Sequence, residues 1–223
     1  MTGSIRVLLA DDDPLVRAGL KMMLAGAPHL EVVGEAEDGR GVLPAVDLHH
    51  PDVVLMDIRM PHLDGIAATC LLRTQPHPPP VLVLTTFDAD ELVLRALQVG
   101  AAGFLLKDSA PADIVRAIDS VHAGDGTLSP AIARRLIPLV AGDHGAAARQ
   151  EQARRQLASL TAREREVSLA VGQGHSNAQI ATQLHMSLAT VKAHVSQLLT
   201  KLNVANRVQI ALLVHDAATW RQQ

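Results

Sequence analysis

Between Ile5 and Gly124 the chain repeats one pattern five times: a short, nearly unbroken apolar run, then a stretch with helical periodicity. The runs are IRVLLA (5–10), LEVVGEA (30–36), DVVLMD (52–57), PVLVLTT (80–86) and AGFLLK (102–107). After them come PLVRAGLKMMLAG (14–26), residues 39–49 with Pro44 inside, DGIAATCLLRT (64–74), ADELVLRALQVG (89–100) and SAPADIVRAIDSVHAG (109–124). Their apolar residues fall at helical spacing, and Pro111 is tolerated in a first turn. Strands with one wet face alternate apolar and polar residues. Strands covered on both faces read as continuous apolar runs, and a parallel sheet flanked by helices covers both. The pattern therefore predicts an α/β fold, a doubly wound five-stranded parallel sheet.

Beyond residue 124 the pattern stops. Residues 125–156 hold Pro130, Pro138 and then a polar, Ala-rich run; they read as a linker with partial helix and few core contacts. Residues 157–223 read as a four-helix domain. Thr161 and Glu164 have the spacing of a capping box, and Ser176, Ser187 and Asn206 stand where further helices start. Only His185-Met186 separates SNAQIATQL (176–184) from SLATVKAHVSQLLTKL (187–202), the spacing of a helix-turn-helix whose second helix enters the major groove. On that helix the apolar positions include Leu188, Val191, Val195, Leu198, Leu199 and Leu202, and most can face a core. Thr190, Lys192, Ala193, His194 and Ser196 lie on or near the other side, where Lys192 can reach a guanine edge or a phosphate. From spacing alone, a small helical bundle without DNA is the competing account.

Charge separates the two halves. Residues 1–130 carry 9 Lys+Arg against 18 Asp+Glu, whereas residues 151–223 carry 8 against 4. An acidic domain joined to a mildly basic one is the simplest account. With two Phe, one Trp and no Tyr, the cores must be aliphatic. A single cysteine, Cys70, excludes an internal disulfide and points to a reducing compartment. No apolar run approaches a membrane span, and MTGSIRV does not read as a secretory signal; the expected location is the cytoplasm.

The first strand ends in three carboxylates, Asp11-Asp12-Asp13. In an open parallel sheet the ligand site lies beyond the C-terminal strand ends. Asp11 and Asp12 end strand one and Asp57 ends strand three, so they converge. A hard divalent cation, Mg²⁺ above all, would offset the repulsion. The same edge receives Thr85 from strand four and Lys107 from strand five. Carboxylates, a hydroxyl and an ammonium together suit a phosphoryl group. Asp57 is the expected nucleophile, Asp11 and Asp12 the metal ligands with the backbone carbonyl of Arg59, and Asp13 the cap of the first helix.

The segments LLADDDPLVRAGL, DVVLMDIRMPHLDG, VLVLTTFDADE and GAAGFLLKDS resemble the receiver domain of bacterial two-component response regulators, over residues 4–124. LTARERE, SNAQIA, ATVKAHV and KLNVANRVQ resemble the LuxR-type output domain of the NarL/FixJ class, over 157–223. The resemblance implies a flavodoxin-like receiver in which Asp57 is the phosphoacceptor, loaded by a sensor histidine kinase with Mg²⁺. Thr85 and Lys107 then read the phosphoryl group, Phe104 is the aromatic switch, and Thr86 is the small neighbour the family usually keeps. It further implies a homodimer on double-stranded promoter DNA. Asp108 follows Lys107 where many receivers carry Pro, a replacement also found in this subfamily. The expected function is thus a phosphorylation-dependent transcriptional regulator rather than an enzyme. Control of the DNA-binding domain by a ligand or partner protein, without phosphorylation, is the alternative. A free-standing Mg²⁺-dependent phosphohydrolase is disfavoured, because no substrate cap is evident.

Overall fold

The computed structural model describes residues 3–85, 90–128 and 146–218. These fall into two compact units, one running to Ala123 and taking in Thr127–Leu128, the other taking in residues 124–126 and the helices from Ala146 onward.

The first unit holds strands β1 (Ile5–Ala10), β2 (Leu30–Ala36), β3 (Val53–Asp57), β4 (Val81–Thr85), β5 (Gly103–Leu106) and β6 (Thr127–Leu128). They form one parallel sheet in the order β2-β1-β3-β4-β5-β6. Helices α1 (Pro14–Ala25), α2 (Gly39–His49), α3 (Gly65–Leu72), α4 (Asp90–Gln98) and α5 (Pro111–His122) connect the strands. Every residue of β3 and β4 is buried, which is why those segments read as unbroken apolar runs. The five strands expected from the sequence are all present. β6 is an addition: the sequence reading put Thr127–Leu128 in the linker, and two residues are too few to show a period. Pro44 lies inside α2 without ending it.

Strand order reverses between β1 and β3, and register makes that crevice a site. Ala10 pairs with Met56, so the next residues, Asp11 and Asp57, leave neighbouring strands at the same level. Asp57 pairs with Leu84 and Thr85 with Leu106, which brings Thr85 and Lys107 to the same edge.

The second unit is helical: α6 (Ala146–Ala158), α7 (Ala162–Gly172), α8 (Asn177–Gln183), α9 (Leu188–Lys201) and α10 (Arg207–Ala218). The expected caps are in place. Thr161 and Ser176 each make a capping box, with Glu164 and Gln179 respectively; Ser187 accepts from Thr190 N, and Asn206 Oδ1 from Gln209 N at 2.8 Å. Val167, Val171, Ile180, Val191, Leu198 and Ile210 form the middle of an aliphatic core. α6 departs from the expectation of a linker with few core contacts. Ala153 is buried, Leu157 packs on the core, and Gln156 Nε2 donates to the Leu202 carbonyl at 3.2 Å. Its sequence, AAARQEQARRQLA, has no apolar stripe wide enough to announce this.

Candidate functional site

At the sheet edge, Asp11 is 1% exposed and Asp57 5%, while Asp12 reaches solvent. Ligand oxygens of the three lie within 4.8 Å of one another. The Lys107 ammonium bridges two of them, at 2.7 Å from Asp11 Oδ2 and 2.8 Å from Asp57 Oδ2. Apart from that ammonium, Asp11 Oδ2 is a buried oxygen with no hydrogen-bond partner. An all-oxygen donor set in which three carboxylates face a single ammonium fits a hard divalent cation.

Local folding fixes these groups. Asp13 leaves the cluster, as expected, and caps α1 by accepting from Leu15 N at 2.8 Å. Asp11 Oδ1 accepts from Asp13 N at 3.0 Å, and Asp11 N donates to the Ala36 carbonyl on β2 at 3.1 Å. Burial raises the Asp57 carboxyl above the usual aspartate range. Lys107 pulls against this, the Asp11 charge adds to it, and the Arg59 N–H donates to the carboxylate. Burial works against the Lys107 ammonium too, but its hydrogen bonds to Asp11 and Asp57 outweigh burial and raise its pKa. Lys107 is therefore the firmly charged partner. Thr85 is buried at the end of β4, and its carbonyl accepts from Lys107 N at 2.8 Å. Phe104, one of the largest fully buried side chains, faces inward from β5 opposite Val83. Arg59 reaches solvent just after Asp57. Thr86 lies outside the described residues.

Two residues at this edge escaped the sequence reading. A Cβ on Gly65 would sit 1.9 Å from the Asp57 carbonyl oxygen, so only glycine lets α3 start against the end of β3. Gly65 N donates to the Ile58 carbonyl at 2.9 Å, closing the loop behind Asp57. Arg17, the second, lies on the buried face of α1 with Leu20 and Leu24. The visible signal was a charged residue at an apolar helical position (i, i+3, i+7).

In the helical unit, α8 and α9 are joined through Leu184–Ser187, with His185 at φ 52°. Val191, Val195 and Leu198 on α9 are buried. Thr190, Lys192, Ala193 and Ser196 are exposed, and His194 is half-buried with its Nδ1 enclosed and unpartnered. Four of the five expected residues are thus exposed on α9, and His194 is partly withdrawn. Of the apolar positions on α9, Leu188 stays outside the core at 47% exposed, because it starts the helix before the bundle closes over it. Thr190 Oγ1 is 2.7 Å from Ser187 Oγ, so its hydroxyl is engaged in the cap. Glu164 accepts from Thr161 N and pairs with Lys201 at 2.7 Å, and Glu166 pairs with Arg163 at 2.5 Å, leaving neither as a candidate acid–base group. Trp220 lies outside the described residues.

Comparison with known proteins matches both units to families. Residues 7–119 match the model of the response regulator receiver domain, and residues 158–214 that of the bacterial regulatory proteins of the luxR family. The transcriptional regulatory protein LiaR of Bacillus subtilis is 38% identical over 212 residues, which is 95% of this chain and 97% of that protein. The nitrate/nitrite response regulator protein NarL of Escherichia coli is 35% identical over 210 residues, 94% of each chain. Among solved structures, the response regulator ChrA of a heme-sensing two-component system matches with a TM-score of 0.54 at 38% identity, covering 99% of this chain and 100% of that one.

Proposed function

Because the chain belongs to the transcriptional response regulators that pair a receiver domain with a LuxR-type DNA-binding domain, we propose that it is controlled by phosphorylation of Asp57. The observation that carries this reading is the meeting of Asp11, Asp12 and Asp57 with Lys107 at one sheet edge. In this reading the receiver spans residues 4–124, the linker 125–156 and the DNA-binding domain 157–223.

A carboxylate oxygen of Asp57 attacks the phosphorus of a phosphohistidine on a sensor kinase. The P–N bond breaks, its electron pair stays on the imidazole, and an acyl phosphate remains on Asp57. Asp57 must be ionised to attack, and its burial opposes that. Lys107, held charged at 2.8 Å, favours the ionised form and afterwards pairs with a phosphoryl oxygen. Asp11, Asp12, Asp57 and the Arg59 carbonyl would hold Mg²⁺, which when bound screens the negative phosphoryl oxygens. Thr85 moves to donate its hydroxyl to a phosphoryl oxygen, and Phe104, the aromatic switch, takes the inward position as Thr85 does so; it is buried in this structure. The phosphorylated chain forms a homodimer, and two copies of α9 read two half-sites of promoter DNA through Lys192, Ala193, His194, Ser196 and the Thr190 end of the helix.

The test uses the full chain with an acyl-phosphate donor, with and without Mg²⁺. Wild type labels only with the metal, Asp57→Asn does not label, and Asp12→Ala labels far more slowly. Full labelling of Asp57→Asn would remove Asp57 as the acceptor.

A further inference from the structure

Arg17 has a buried charge that the phosphorylation reading leaves unused. It is 8% exposed, on the core face of α1. Its guanidinium donates three ways: Nη1 to the Asp11 carbonyl at 2.7 Å, Nε to Glu35 Oε2 at 3.0 Å and Nη2 to Glu37 Oε1 at 3.1 Å. Glu35 is also paired with Lys21, and that pair, ahead of Arg17, holds its carboxyl below the usual range. Two carboxylates therefore offset the burial of one guanidinium, and a third N–H donates to a backbone oxygen of the acidic turn.

The connections close on themselves. Asp13 caps α1, and its carbonyl accepts from Arg17 N at 3.1 Å. The Arg17 side chain then returns to Asp11. Asp11 is thus held at its N–H by Ala36, at its carbonyl by Arg17 and at Oδ1 by the Asp13 N–H. Only Oδ2 is left to face Asp57 and Lys107. We propose that Arg17 is a positioning residue for the divalent-cation site: by clamping the Asp11 carbonyl it fixes the Asp11–Asp12 turn and sets how tightly the pocket takes the metal. It touches neither the metal nor the phosphoryl group. The proposal rests on the reading of Asp11 and Asp12 as metal ligands.

The same strand supplies its own control. Arg6, near the other end of β1, clamps carbonyls in the same manner, with Nη2 on His49 O at 2.6 Å and Nε on His50 O at 3.4 Å. Removing the Arg6 guanidinium frees the carbonyls of His49 and His50 at the end of α2, and removing that of Arg17 frees the Asp11 carbonyl, so only Arg17 acts at the acidic end. A general loss of stability moves both variants together; a positioning role moves one.

The experiment measures Mn²⁺ binding to the full, unphosphorylated chain by electron paramagnetic resonance, and the Mg²⁺ dependence of acyl-phosphate labelling beside it. Arg17→Met is expected to weaken Mn²⁺ binding about tenfold, the scale of lost outer-sphere support. The Mg²⁺ concentration for half-maximal labelling rises by the same factor, and the rate at saturating Mg²⁺ changes less than about twofold, because bound metal holds the turn itself. Arg17→Lys recovers part of the affinity, since an ammonium keeps the charge but not the three-way fork. Arg6→Met keeps wild-type metal affinity even where it lowers Tm. Wild-type Mn²⁺ affinity in Arg17→Met, or equal weakening in Arg6→Met, overturns the proposal. If Arg17→Met does not fold, Arg17→Lys decides: weakening of about threefold supports the role, and wild-type affinity rejects it. Failure of the underlying reading looks different, because wild type itself then binds no Mn²⁺ and Asp12→Ala changes nothing.

Discussion

The sheet edge and the outer side of α9 solve opposite problems with polar residues. At the edge, Asp11, Asp57 and Lys107 are gathered from strands far apart in sequence and largely removed from water. On α9, Thr190, Lys192, Ala193 and Ser196 come from two turns of one helix and stay wet. The phosphoryl transfer proposed for the edge needs charges whose solvation has been stripped and replaced by fixed partners, and burial supplies that. Recognition of a polyanion needs charges that can be offered, and the helix buries Val191, Val195 and Leu198 while leaving Thr190, Lys192, Ala193 and Ser196 exposed. The edge is therefore intolerant of changes in its support, whereas the helix face tolerates substitution and changes preference instead.

That contrast breaks most visibly when the support of the helix is attacked instead. Ile180 is fully buried between α8 and its neighbours. Ile180→Ala should destabilise the helical unit by about 2–5 kcal/mol, the cost of such cavities. DNA binding should then fail on warming while acyl-phosphate labelling continues. Loss of labelling at the same temperature would mean that the two units do not unfold separately.

A smaller effect is expected on the face itself. Lys192→Ala removes an exposed cation and no core contact. If the side chain reads a base, affinity for a selected operator falls by about 1–3 kcal/mol and preference relaxes at one position per half-site. If it holds phosphate, affinity falls alike on operator and scrambled DNA, and the salt dependence drops by about one unit per site. Unchanged binding to both DNAs across a salt series would move the interface off this face.

The smallest effect sharpens the comparison through pH. Lys201, with the Thr161 N–H behind it, lowers the Glu164 carboxyl from 4.5 to about 2. A carboxyl depressed in the folded state contributes stability that is complete above its ordinary value and fades as pH falls from about 4.5 toward 2. Because the pair is exposed, the contribution is small and screened by salt. Glu164→Gln should flatten the acid limb of the thermal unfolding of the helical unit and leave Tm near neutrality almost unchanged. An identical acid limb in both proteins would remove the assignment.

The fold was legible because its rule is local. Strands covered on both faces must be apolar along their length, and IRVLLA, DVVLMD and PVLVLTT are. The acidic cluster was legible for a related reason: a charge that ends such a run can only stand at the sheet edge. Thr161, Ser176, Ser187 and Asn206 announced their helices through the hydrogen bonds they go on to make. What stayed hidden depends on partners distant in sequence. Nothing beside Gly65 says that a carbonyl will lie against it, and α6 docks through Ala153 and Leu157, too few residues to form a stripe. Which apolar position of α9 would stay outside the core, Leu188, was not legible, because period assigns a side of the helix, not whether the bundle reaches its first turn.

The self-capped helices also bear on the order in which the molecule acquires its parts. α7, α8, α9 and α10 each carry a side chain that satisfies backbone donors of their own first turn, three residues away or fewer. Each start is thus rewarded before any distant contact exists, which lowers the nucleation cost of the helix. The acidic edge has no such head start. Lys107 meets Asp57 across 50 residues of chain, and only once β1, β3, β4 and β5 lie in register. Long loops must close before those contacts give anything back, so the helical unit is set to mature early in a refolding time course and the sheet edge late. The phosphoryl acceptance proposed for Asp57 would then be among the last properties the refolding chain acquires, and its appearance would serve as the clock for completed assembly of the sheet.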